Sequence, residues 1–198
     1  MDMRCTICGK EAADESILSL LIGVACRECI PRGKETTFQI RSATEPEDGR
    51  FVLEFLDNLF GETEFIEFGR WYRVDDMDKL VAVAEKGQYV GFAVYVRERD
   101  EPNLMTLLTI NVDESFLRRG VASALLAEVR KIAIHSGVKR IRVPISNDDL
   151  LSYVFYHRRG FTLSGVDLGL CMKRHGKEME GFWKLPLRDE FYLSYELT

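Results

Sequence analysis

Thr109-Ile110-Asn111-Val112-Asp113-Glu114-Ser115-Phe116-Leu117-Arg118-Arg119-Gly120-Val121-Ala122-Ser123-Ala124-Leu125-Leu126 is the stretch whose reading decides the fold. A β-type apolar run ends, a short loop turns, and a helix opens on a glycine. The first turn of a helix offers main-chain N–H groups without intrahelical partners at its positive dipole end, which favours phosphate there. Gly120 lets the backbone approach a diphosphate with no Cβ in the way, Ala122 is nearly as small, and Arg118 and Arg119 add positive charge. An ordinary strand-to-helix turn has the same local features, so neighbouring segments must discriminate.

Working outward, Val121, Leu125, Val129 and Ile132 form the buried stripe of a helix over 120–135, and Ser136-Gly137 stops it. Before it, residues 80–85, 89–97 and 104–112 read as strands, the first two joined by Lys86-Gly87-Gln88. Earlier still, Thr37-Phe38-Gln39-Ile40-Arg41 alternates like a strand. Thr44-Glu45-Pro46-Glu47 reads as a capping box opening a helix through Val52, Phe55, Leu56 and Leu59 to Gly61. Residues 62–78 suit either a short helix or an irregular loop. After the central helix come a strand over 140–145 containing Pro144, a helix capped by Ser146 or Asn147 and ending at Gly160, and strands over 161–168 and 191–197. Phe191, Leu193, Tyr195 and Leu197 share one face of the last strand. The order, β-α-(α)-βββ-α-β-α-ββ, predicts an α/β (α+β) fold with a mixed sheet and helices on both faces.

Two motifs in order carry a family resemblance. The run ending at Ala122 resembles the GNAT acyltransferase pattern of Val, four residues, then Gln/Arg-x-x-Gly-x-Gly/Ala. Asn147 with Phe155-Tyr156-His157-Arg158-Arg159-Gly160-Phe161 resembles the second signature, Asn followed by a helix ending Phe/Leu-Tyr-x-x-x-Gly-Phe. The resemblance covers about residues 37–198. It implies a GNAT-like, mostly antiparallel mixed sheet flanked by helices, in which the strands over 104–112 and 140–145 splay apart. The pantetheine arm of acetyl-CoA is then expected in the gap, against the backbone of Ile110, Asn111 and Val112. Its pyrophosphate is expected on the amides of Arg118, Arg119, Gly120, Val121, Ala122 and Ser123, with Asn147 as a further cofactor-binding residue. Pro144 agrees, because a missing N–H matters less where ladder pairing has opened. Tyr156 is similar to the family's general acid, which protonates the departing thiolate; a phenol is suited to this, its pKa of about 10 lying near that of a thiol.

The chain departs from the pattern at Leu117, where relatives have Gln or Arg. Its second helix is also longer, so Asp149 competes with Asn147 for the Asn position. Relatives often carry a Glu base on the two diverging strands. Here those strands offer Thr106, Thr109 and Arg142 and no carboxylate, leaving Glu85, Glu64 and Glu67 as unranked bases. His135, His157 and His175 read as surface residues without a triad partner.

Composition and the N-terminus complete the expectations. The 198 residues, 46% apolar and 30% charged, suffice for one well-buried domain plus a small module. Cys5-Thr6-Ile7-Cys8 and Cys26-Arg27-Glu28-Cys29 are two C-x-x-C knuckles with seventeen residues between them. Four thiolates fill a tetrahedral zinc shell and leave no place for water, so Cys5, Cys8, Cys26 and Cys29 are expected to hold a structural Zn²⁺. Residues 1–35 then form a four-cysteine zinc-ribbon-like module and linker, stabilised largely by its metal, and residues 36–198 the acyltransferase domain. Cys171 stands outside this pattern and reads as a bystander. The N-terminus has no basic-then-apolar leader and no apolar run reaches membrane-spanning length, which reads as a cytoplasmic protein with no membrane partner.

Residues 45–78 hold eleven acidic residues against three basic ones, within a chain of net charge −5. In the family fold this segment walls the acceptor site, and an acidic wall suits a cationic amine. The expected function is transfer of an acetyl group from acetyl-CoA to a primary amine, either a cationic small molecule or a peptide or protein amine. The alternative is a non-catalytic acyl-CoA sensor or adaptor acting through a protein partner of the zinc module. The module's five basic and six acidic residues argue against nucleic acid.

Overall fold

The computed structural model describes residues 37–197, so the four-cysteine pattern lies outside the described residues. Seven strands form the main sheet: β1 (Phe38–Ser42), β4 (Asp78–Ala84), β5 (Tyr89–Arg97), β6 (Leu104–Val112), β7 (Arg140–Ser146), β11 (Glu190–Glu196) and β8 (Thr162–Asp167), in that spatial order. Every neighbouring pair is antiparallel except β6–β7, which is parallel. Two-stranded hairpins are made by β2 (Glu64–Glu67) with β3 (Arg70–Arg73) and by β9 (Met179–Glu180) with β10 (Pro186–Leu187). The helices are α1 (Pro46–Phe60), α2 (Val121–His135), α3 (Leu150–His157) and α4 (Leu170–His175).

The central strands are apolar on both faces because each face has a helix to cover it. On one side Val52 and Leu56 of α1 meet Val81, Phe92, Val94 and Leu108. On the other, Val121, Leu125, Leu126, Val129 and Ala133 of α2 meet Ala82, Val90, Ala93 and Leu107. Each fully buried Val or Leu in these layers contributes about 1.5–3 kcal/mol.

α1 starts one residue later than the sequence suggests, with Glu45 at the N-cap and Pro46 first inside. Asp48 explains the shift. It is fully buried, accepts from the Thr44 and Glu45 amides at 3.1 Å each, and binds Arg41 and the Tyr89 hydroxyl. Burial alone would raise its pKa, but these donors outweigh burial and hold it at about 2. Gly61, at φ 74°, ends the helix as expected.

Residues 62–78 are neither a helix nor an irregular loop: they form the β2–β3 hairpin and a short 3-10 turn. Its two turn residues, Phe68 and Gly69, both have positive φ (53° and 71°), the pattern of a tight hairpin turn usually signalled by Asn-Gly. Phenylalanine hides that signal. Its ring is held from outside instead, 3.8 Å from the Arg142 guanidinium and 4.4 Å from the Tyr192 ring.

Candidate active site

β6 and β7 pair only from Leu104 to Thr106, against Arg140 to Arg142, and diverge beyond. The last rung is clipped by Glu98, a buried carboxylate that accepts from the Thr106 and Tyr72 hydroxyls and from Arg142 Nη2 at 2.9 Å. Burial pushes the Glu98 pKa up, but those hydrogen bonds bring it below the ordinary value, so it stays ionised against Arg142. Past the clip, a one-residue register shift between β5 and β6 places Leu108 as an extra residue and bends β6 away. Further along the same pair, Gly91 lies across from Val112. A Cβ there would come within 2.7 Å of the Asn111 carbonyl oxygen, so only glycine allows β5 and β6 to close this tightly.

The divergence opens a cavity of about 580 Å³. Thr109 and Ile110 line it from β6, Pro144, Ile145 and Ser146 from β7, and Tyr156 from α3. Pro144 pairs with Tyr192 of β11 and lies two residues beyond the last β6–β7 rung. Ile110 therefore faces the gap, while Asn111 and Val112 continue β6 towards the α2 turn, the Asn111 amide donating to Thr109 Oγ1 at 2.7 Å.

At the mouth, a 3-10 turn (Glu114–Phe116) capped by Asp113 leads into α2. Arg118 and Gly120 take positive φ (64° and 85°), reversing the chain so that α2 starts at Val121. The first helical main-chain bond runs from Ala124 N–H to Gly120 O at 3.0 Å, so the amides of Val121, Ala122 and Ser123 have no helix carbonyl to serve. Positive charge collects beside them. Arg159, from the end of α3, donates to Ser123 Oγ at 2.5 Å and to Phe155 O at 2.9 Å, with its guanidinium 3.8 Å from the Phe155 ring. Arg130 donates to Arg159 O, and Arg119 covers the Phe116 ring at 4.8 Å. Burial, then the neighbouring Arg130 and Arg158 charges, lowers the Arg159 pKa. Leu117 is half exposed and contributes no donor.

Tyr156 is buried at 4% exposure, its ring between Phe155 and Phe161 at centroid distances of 5.0 and 5.2 Å. Burial, assisted by Asp149, raises its phenol pKa far above the ordinary value, so the group keeps its proton at any working pH. Such a phenol is held in the protonated form that a general acid requires.

Asn147 has a structural duty in this conformation. Its Nδ2 donates to Pro186 O, and its Oδ1 accepts from the Arg188 and Asp189 amides, all at 2.9 Å, stitching the β7 end to the segment before β11. The helix cap predicted at Ser146 or Asn147 is Asp149, whose Oδ1 accepts from Ser152 N at 3.0 Å and which also lines the cavity.

The same cavity carries carboxylates that sequence reading only partly found. Glu67 and Glu190 are buried at 5% and 4% exposure. Arg174 of α4 makes bonds of 3.0 Å to each Glu67 oxygen, reaches Glu190 Oε2 at 3.4 Å, and donates to Ile66 O. Cys171 Sγ–H donates to Asp189 O at 3.3 Å and Glu190 Oε2 at 3.4 Å, and burial pushes its thiol up to about 12, so it stays protonated. Glu62 and Glu180 line the same wall. Of the three bases considered from sequence, Glu67 is in the cavity, Glu64 is exposed and paired with Arg73, and Glu85 is exposed in the turn after β4. Glu190 had one available signal: it opens β11, beside the gap-forming strand, as an acid at the head of an apolar alternating run. All three histidines are exposed, but His175 reaches the cavity wall.

These features match those of known proteins. The acetyltransferase (GNAT) family model matches residues 38–161, and the chain belongs to that family. It is an acetyl-CoA-dependent acyltransferase. Uncharacterized protein YxbD of Bacillus subtilis (strain 168) is 26% identical over 151 residues, covering 74% of this chain and 91% of that protein. A Bacillus subtilis acetyltransferase solved in complex with CoA superposes at TM-score 0.63 with 19% identity, covering 82% of this chain and all of that one. A GNAT acetyltransferase from Elizabethkingia anophelis with acetyl-CoA bound gives 0.62 with 16% identity, covering 81% and 98%. Among the described residues, no helix is long and apolar enough to cross a membrane, and no group of His, Cys, Asp or Glu is arranged to hold a metal.

Proposed function

We propose that this protein transfers the acetyl group of acetyl-CoA to a primary amine of a cationic molecule, a small amine or a peptide or protein amine. The observation that carries the reading is the cavity itself, lined by Tyr156 together with Glu62, Glu67, Glu180 and Glu190. Neighbours of the same fold are described with CoA or acetyl-CoA bound, and the opened β6 edge and the α2 turn suit pantetheine and diphosphate respectively. The diphosphate lies on the amides from Arg118 to Ser123, and the pantetheine follows the Ile110–Val112 backbone. Asn147 is better placed to hold the wall than to touch the cofactor, because its amide is already engaged. Apolar residues such as Phe60, Phe65 and Phe182 share the acceptor wall, so the body of the amine is in part hydrocarbon.

Calorimetric binding of acetyl-CoA and release of CoA thiol with spermidine, tyramine and a lysine-bearing peptide test this together. Binding with no turnover on any amine would favour a sensor or adaptor. Glu62 is the wall carboxylate least engaged elsewhere. Glu62→Gln is expected to raise KM for the dicationic probe about threefold with kcat unchanged, consistent with one partly screened charge pair. Glu64→Gln, on the exposed hairpin, serves as the control that leaves KM where it was.

The four N-terminal cysteines are proposed to bind one structural zinc, on the strength of their spacing. Native mass spectrometry should find one zinc per chain, and Cys8→Ser should lose it while acetyl-CoA binding persists, since the β6–β7 gap and the α2 turn are built by the acyltransferase domain. The module is also the surface proposed for a protein partner.

A further inference from the structure

We propose that Glu190, held beside Glu67 by Arg174, is the group that takes the proton from the acceptor ammonium. The inference rests on the acetyl-transfer reading above and assigns its missing base. Three observations converge. Glu190 lines the cavity that Tyr156 lines, and it sits directly across from Ser146, at the end of β7 that has parted from β6. Two buried carboxylates share a single guanidinium, 3.0 Å from Glu67 and 3.4 Å from Glu190, and lie within hydrogen-bonding reach of each other. One arginine cannot neutralise two buried negative charges, so one proton is retained between them at moderate pH.

The groups facing Glu190 are Glu67 from β2, Arg174 and Cys171 from α4, and Asp167 across the ladder in β8. Burial first, and Glu67 second, raise the Glu190 pKa to about 8, against the pull of Arg174. A carboxylate with that affinity for protons is a far better base than an ordinary glutamate, because its pKa lies near the operating pH. Arg174 and Glu67 position it and set its proton affinity.

The step balances as follows. Glu190 carboxylate accepts one N–H proton of the ammonium. The freed nitrogen lone pair forms a C–N bond to the thioester carbonyl carbon, and the C–S bond then breaks with its electron pair on sulfur. Tyr156 gives the thiolate its proton and is restored by the second N–H proton of the adduct. The proton on Glu190 passes to solvent as products leave. Net, ammonium and acetyl-CoA become amide, CoA thiol and one proton.

Rates of thiol release with spermidine and tyramine between pH 6 and 9.5 test the assignment on the full chain. Wild type should gain activity as pH climbs through about 8, the direction required of a base that must be ionised. Glu190→Gln should lose about 100-fold in kcat/KM near pH 7.5. The gap should narrow towards pH 9.5, where more free amine is supplied by solution. Acetyl-CoA affinity should stay within twofold. Glu67→Gln keeps Glu190 and removes the charge that holds its proton, so its pH profile should move to lower pH. It also keeps the test open if Glu190→Gln folds poorly. A Glu190→Gln profile that keeps the wild-type limb, or a loss equal at every pH, overturns the assignment alone. A wild type that binds acetyl-CoA yet acetylates neither amine overturns the transfer reading and this inference with it.

Discussion

Tyr156→Phe is expected to lower kcat by about 100- to 1,000-fold while leaving acetyl-CoA affinity within twofold. The variant removes one oxygen and one proton from a ring whose packing against Phe155 and Phe161 it leaves in place. The Tyr156 hydroxyl has no hydrogen-bond partner among the described residues and lies on a cavity wall, so no buried donor or acceptor is orphaned. The expected stability loss is therefore below about 1 kcal/mol. On the proposed mechanism, what is lost is a proton source for the leaving sulfur. Burial keeps the phenol protonated well above neutral pH, so wild type should show no falling limb from Tyr156 below pH 9. Single-turnover thiol release resolves chemistry from product departure. A kcat within threefold of wild type would return Tyr156 to the role of a packed aromatic at a helix end.

The fold was legible where one local rule sufficed. Periodicity placed α2 to within one residue at its start and β5 and β6 over their full ranges, because strands buried on both faces and a helix with one apolar stripe write those patterns directly. The turn into α2 was legible because Gly120 takes a positive φ of 85°, a local backbone requirement that glycine meets. Failures came where distant contacts override local preference. Phe68 occupies a positive-φ hairpin position because Arg142 and Tyr192 hold its ring, and neither is near it in sequence. Asp149 caps α3 in place of Asn147 because Asn147 is claimed by the backbone of 186–189, forty residues away. The carboxylate wall was half read: the acidic excess over 45–78 pointed to Glu62 and Glu67. Glu190 stayed hidden because its chemistry comes from burial beside Glu67, which 122 intervening positions of sequence do not reveal. α4, which delivers Arg174 and Cys171, is six residues long and too short to carry a helical period.

That short helix bears the second large expected effect. Arg174→Met should destabilise the domain by about 3–5 kcal/mol near pH 8.5, the cost of leaving buried carboxylates without their cation. Methionine fills much the same length of wall, so the loss is electrostatic more than volumetric. The dependence on pH distinguishes this from general damage. Glu67 and Glu190 both have folded-state pKa values raised above the ordinary 4.5 by burial, with Arg174 pulling them down. Removing Arg174 raises both further. A carboxyl group whose pKa is higher folded than unfolded binds more protons in the folded state. Its contribution is therefore full below about 4.5 and is lost as pH rises through the folded value. The deficit of Arg174→Met relative to wild type should accordingly shrink to about half by pH 5.5, read from urea midpoints at the two pH values. Glu67→Gln placed in the Arg174→Met background should recover part of the loss at pH 8.5 and little at pH 5.5, because it removes one of the two unneutralised charges. A deficit that is the same at both pH values would mean that Arg174 holds the wall by packing and by its bond to Ile66 O, and that the two glutamates do not share a proton.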